Sequence, residues 1–135
     1  MNKILLTILI AVLVAQSTKL LINLIERKSI SLKNFFITGG MPSGHSALVI
    51  SLSSIIYLIE GVSTSFAISL VLAMIVLRDA TGVRLSVGKE GDLIKKLIKK
   101  HHMKDKLKYS SGHTATEVLV GSIIGFVTAW FVYLI

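Results

Sequence analysis

His113 and Glu117 stand four residues apart in Gly112-His113-Thr114-Ala115-Thr116-Glu117. On a helix that spacing sets a carboxylate beside an imidazole, where it accepts the ring N–H and fixes the tautomer. The same run also reads as a plain capping box, Thr114 with Glu117 three residues on, which asks for no chemistry. A second histidine closes Gly39-Gly40-Met41-Pro42-Ser43-Gly44-His45, just ahead of an apolar run. Two glycines and the only proline of the chain predict a loop turning into a helix, with Pro42 in its first turn. First-turn N–H groups near Gly44 and the positive end of the helix dipole favour an anion there. Ser43 adds a hydroxyl and His45 an acid–base group. The plainer alternative is a serine-capped helix with an incidental histidine. Lys19, Arg78 and Arg84 are the cations close enough to helix ends to join either histidine.

These residues are spread over a chain that is 53% hydrophobic and 16% charged, too apolar and too segmented for a soluble domain of 135 residues. With no cysteine, disulfides and thiolate metal sites are excluded. The net charge of +8 might point to nucleic acid, but its placement does not. Ten of the fifteen Lys and Arg fall between Arg78 and Lys108, beside apolar runs and without interleaved aromatics, as expected for contact with anionic membrane lipids. No nucleic-acid partner is expected.

The expected fold class is all-α: a polytopic membrane helical bundle of about four transmembrane helices plus an amphipathic surface helix, one domain over residues 1–135. The spans fall at about 4–25, 46–59, 65–77 and 116–135, and the amphipathic insertion at about 89–102, where Leu93, Ile94, Leu97 and Ile98 alternate with lysines. A signal peptide, with Lys3 ahead of Ile4–Val14 and cleavage after Ala15, competes for the first span. Apolar residues continuing past Lys19 favour a retained one. Lys19 itself either snorkels to the interface or joins Gln16, three residues earlier, in a polar stripe facing the bundle. His101 and His102 read as solvated, with metal binding the alternative. The first and third connections are basic and the second, Glu60–Thr64, is not. The positive-inside rule therefore puts the first and third in the cytoplasm, with both termini outside. Pro42–His45, Arg78–Arg84, His113–Glu117 and Lys19 then share one membrane face. Gly121-x-x-x-Gly125 suggests a homodimer through closely packed helices, or else contact with a helix of the same chain.

In that order the motifs resemble the type-2 phosphatidic acid phosphatase superfamily, which includes bacterial acid phosphatases and vanadium haloperoxidases. Gly39–Ala47, Asp79–Arg84 and Gly112–Val118 are similar, more narrowly, to its short divergent branch of acid phosphatase/vanadium-dependent haloperoxidase-related membrane proteins. The likeness runs from Gln16-x-x-Lys19 to Gly125. The chain departs from the superfamily pattern in three ways: seven residues separate Lys19 from Arg27 and no proline follows, Glu117 stands where aspartate is usual, and the amphipathic segment is inserted ahead of His113.

The resemblance implies a phosphatase acting on a lipid phosphate or diphosphate. His113 would be the nucleophile, passing through a phosphohistidine; Glu117 would orient it, and His45 would be the general acid. Lys19, the Ser43 hydroxyl, N–H groups near Gly44, and Arg84 or its rival Arg78 would hold the phosphate oxygens. Asp79 would be a structural ion-pair partner or, as the lesser alternative, a metal ligand. The scheme requires no metal or cofactor. The alternative function is a non-enzymatic lipid-phosphate binder, translocator or membrane subunit that keeps the anion pocket. The expected location is a bacterial-type plasma membrane, with the site facing the cytoplasm.

Overall fold

The computed structural model describes residues 3–26, 40–101 and 112–135. The basic connection with Arg27, Lys28 and Lys33, the segment Phe35–Ile37 and His102 lie outside them. Within the described residues the chain is all helical: α1 Lys3–Ile25, α2 Gly44–Glu60, α3 Thr64–Thr81, α4 Val83–Lys100 and α5 Ala115–Leu134. α1, α5 and the run Thr64–Lys100 are long and apolar enough to cross a bilayer. At about 1.5 Å per residue, the 23 residues of α1 reach about 35 Å, against a hydrocarbon core of roughly 30 Å. α2, with 17 residues, is shorter and equally apolar.

α2 is the central helix, packed against α1, α3 and α5. Four of the seven side chains it buries are small, Ser46, Ala47, Ser51 and Ser53, beside Val49, Ile55 and Ile56; Ala11 and Ala15 of α1 and Ala129 of α5 are buried too. Leu9, Leu13, Ile68 and Phe131 point outward. Lipid tails are as apolar as leucine, so large side chains gain nothing by turning inward, while small ones let backbones close up. Hydroxyls within the helices bond back to their own turn, as Ser51 does to the Leu48 carbonyl and Thr128 to that of Ile124, both at 2.8 Å.

The tightest seam joins α2 to α5. A Cβ on Gly121 would run into the Ser43 carbonyl oxygen, and one on Gly125 would lie 2.5 Å from that of Ala47. The glycine pair suggested for a dimer contact is therefore occupied within the chain: the backbone it admits is that of α2.

Two boundaries differ from expectation. Pro42 precedes α2 instead of entering its first turn; Ser43 is the N-cap and the Met41–Pro42 peptide is cis. The amphipathic helix starts at Val83, not near residue 89, and takes Arg84 into its first turn. Only Gly82 separates α3 from α4. Its N–H still donates to the Arg78 carbonyl at 2.9 Å, and its own carbonyl accepts from Ser86 at 3.0 Å, so the ladder bends without ending. At the opposite end of the bundle Ser63 caps α3, and the rings of Tyr57 and Phe66 meet at a tilt, their centres 5.1 Å apart across the α2–α3 turn.

Candidate active site

The three motifs are tied together by backbone before any side chain is considered. The His113 N–H donates to the Ala80 carbonyl at 3.1 Å, fastening the entry of α5 to the last turn of α3. The Ser43 N–H donates to the Glu117 carbonyl at 3.0 Å, fastening the start of α2 to the first turn of α5. Gly112 lies so close to Arg84 and Leu85 that a Cβ there would overlap their backbone, which brings α4 to the same place.

His113 is buried, with its Nδ1 3.1 Å from Glu117 Oε2. A carboxylate can only accept, so in the neutral ring the proton sits on Nδ1 and the lone pair on Nε2. The two readings of Thr114–Glu117 prove compatible. Thr114 caps α5 and accepts from the Glu117 N–H at 3.4 Å, while the same Oε2 that meets His113 also accepts from the Thr114 N–H at 3.1 Å. One oxygen closes the helix end and orients the ring.

His45 comes next, in the first turn of α2 and just ahead of its apolar stretch, with its ring centre 6.4 Å from that of His113. Desolvation holds its pKa below the ordinary histidine range; Arg84, His113 and Lys19 push the same way, and Asp79 opposes them. All four groups are thus near enough to act on His45. Lys19 arrives from α1 and lies along Gly40, where a Cβ would touch its Cε at 3.4 Å. Gly40 also has φ +85°, a backbone that glycine alone adopts freely. The Glu117 carboxylate acts on the Lys19 ammonium. Gln16 sits one turn before Lys19, its amide 3.4 Å from where a Gly44 Cβ would be.

Of the two candidate arginines, Arg84 faces this cluster and is held by an ion pair from its Nε to Asp79 Oδ2. Asp79 therefore pairs across the Gly82 bend and not with its neighbour Arg78. Arg78 lies elsewhere, on a crevice between α3 and α5. Ser43 differs from expectation as well. It is fully buried and its Oγ accepts from the Ser46 N–H at 3.4 Å and the Ser46 hydroxyl at 2.9 Å, so it builds the helix start instead of facing the opening. Thr114, Ala80 and Asp79 were the positions that motif spacing undervalued. Two act through backbone groups or a cap, and the third through a partner beyond a helix bend. Among the described residues, no three His, Asp or Glu side chains converge as a metal cage requires.

An oriented histidine beside a second one, with a lysine and an arginine, at one mouth of a helical membrane bundle, defines an integral membrane protein with a charged polar centre. The chain belongs to the family described as Divergent PAP2 family, which it matches over residues 1–128. It is 35% identical over 138 residues to the uncharacterized membrane protein YuiD of Bacillus subtilis (strain 168), an alignment covering 90% of this chain and 87% of that one. No solved structure matches it.

Proposed function

We propose that the chain is a membrane phosphatase that hydrolyses a lipid phosphate or diphosphate through a phosphohistidine on His113. The observation carrying this reading is the Glu117–His113 pair, a buried imidazole with its proton fixed on Nδ1, set beside a second histidine and two cations. Binding a phosphate would need only the cations and N–H groups.

In the first step His113 Nε2 attacks phosphorus and the bond to the leaving oxygen breaks. His45 gives that oxygen a proton, which an alkoxide needs and a good leaving group does not. Glu117 offsets the positive charge that the ring gains. Lys19, Arg84 and the first-turn N–H groups of Gly44 and His45 hold the non-bridging oxygens as charge shifts in the transition state. In the second step water attacks phosphorus and gives a proton to His45, the P–N bond breaks, and phosphate, a neutral His113 and a protonated His45 are regenerated. The basic connections support a site on the cytoplasmic face.

The test is phosphate release by the purified protein from a panel of lipid phosphates and diphosphates, with His113→Ala alongside. Turnover by the native chain and none by the variant is expected. Equal turnover by both would overturn the assignment, and tight lipid-phosphate binding without turnover by either would make the chain a binder.

A further inference from the structure

Arg78 is left over by the site just described. It sits in the last turn of α3, and Asp79, its neighbour in sequence, gives its carboxylate to Arg84. Among the described residues no carboxylate lies within salt-bridge distance of Arg78. Beside it runs a crevice of about 530 Å³ between α3 and α5, walled by Met74, Leu77, Val118 and Leu119, with Thr81 near Arg78 and, further along, Ser122, whose hydroxyl is bonded back to the Val118 carbonyl. A second apolar groove, of about 360 Å³, lies further along α3 and α5, floored by Ile50, Ser54 and Leu58 of α2 and flanked by Phe66, Leu70, Phe126 and Trp130. One helical turn separates Leu70 from Met74, and one separates Ser122 from Phe126, so the two grooves follow one stripe on each helix.

The geometry points to a binding site for an anionic phospholipid, with its phosphate on Arg78 and one acyl chain lying along the α3–α5 stripe. Length and charge agree on this occupant. From Arg78 to Phe66 is twelve residues, about 18 Å of helix. One leaflet's share of a hydrocarbon core of roughly 30 Å is about 15 Å. A guanidinium offers paired donors suited to phosphate oxygens, and it stands at the helix end, where a headgroup would be. The site is separate from the candidate active site. His113 and Glu117 look toward His45 and Lys19, whereas Ala115, Val118 and Leu119 face the crevice, and the His113–Ala80 hydrogen bond stands between.

Trp130, the single tryptophan of the chain, lines the deep end and reports directly on the chain of a bound lipid. The full-length protein is placed in phosphatidylcholine vesicles, and brominated phosphatidylglycerol or brominated phosphatidylcholine is titrated in, bromine near the chain end. Half-maximal quenching is expected at a mole fraction about fivefold lower for phosphatidylglycerol, the preference one basic residue near the surface confers. Arg78→Gln should bring the two curves together, and Arg78→Lys should keep them apart. Ser122→Phe, which fills the crevice but leaves the charge, should abolish the preference too. Identical curves for the native protein would overturn the proposal. So would a preference that survives Arg78→Gln, since it would then belong to the lysines of α4.

Discussion

Gly121 has no room for a side chain because the carbonyl oxygen of Ser43 occupies the place of its Cβ. The helix that carries His113 and the helix start that carries His45 therefore meet backbone to backbone. Gly121→Ala should move α2 outward, costing about 1–3 kcal/mol as overpacking does and lowering turnover with it. Gly61→Ala is the control. It has φ +69° and ψ −146° with nothing within 4 Å, so it should cost about 1–3 kcal/mol of backbone strain and leave activity unchanged. Thermal unfolding in detergent measures both, and a native melting temperature for Gly121→Ala would contradict the seam.

Glu117→Gln separates helix capping from chemistry. Glutamine can still serve the capping box, so stability should change little. Its neutral amide can present a donor to Nδ1 as readily as an acceptor and cannot offset an imidazolium, so kcat should fall by up to about 10⁴, the loss found when an orienting carboxylate is made neutral. Melting temperature and kcat are read on the same sample. A variant that unfolds but turns over normally when folded would remove Glu117 from the mechanism.

How much of this was legible without coordinates depends on how far each relation reaches. His113–Glu117 lies within one helical turn, so spacing alone exposed it. The choice between Arg78 and Arg84 hinged on whether Gly82 ends a helix or bends it, and a glycine permits both. Ser43 could cap or contact a ligand, since one hydroxyl suits either task; burial decided for the cap. Gly121 and Gly125 announce a close approach of two backbones in any sequence. Whose backbone approaches is a tertiary fact, and here it is that of α2.

The position of His45 among cations predicts a pH profile. A general acid must start protonated, and its pKa is held below the ordinary value of 6.5. The kcat/KM for a lipid ester should therefore fall as pH rises through a midpoint below about 6.5. The corresponding value for an aryl phosphate with a good leaving group should show no such limb, and His45→Ala should abolish the limb for the lipid ester. A midpoint above 7 in the native enzyme would exclude His45 as the acid.

Orientation is open to a direct test because the chain has no cysteine of its own. Single cysteines at the exposed positions Val62, on the α2–α3 turn, and Lys100, at the end of α4, should differ toward an impermeant thiol reagent in intact cells. Labelling at residue 62 alone agrees with a cytoplasmic site; labelling at residue 100 alone places the site outside.

Replacing Lys95, Lys96, Lys99 and Lys100 with glutamine tests α4 as a membrane-surface helix. Its Leu93, Ile94 and Leu97 are exposed, as a lipid-facing stripe requires, and each lysine contributes roughly 1 kcal/mol of attraction to anionic lipid. Activity should drop on vesicles containing anionic lipid and hold on a soluble short-chain substrate. Equal loss on both would make α4 part of the pocket wall.

Because Glu117 Oε2 receives both the Thr114 N–H and the His113 ring, the imidazole is aligned only in a chain whose last helix begins at the right residue. A α5 wound one residue early or late would still cross the membrane, since its apolar length would hardly change. It would cross with the imidazole turned away. On the proposed mechanism, a misthreaded chain would enter the bilayer without becoming reactive there.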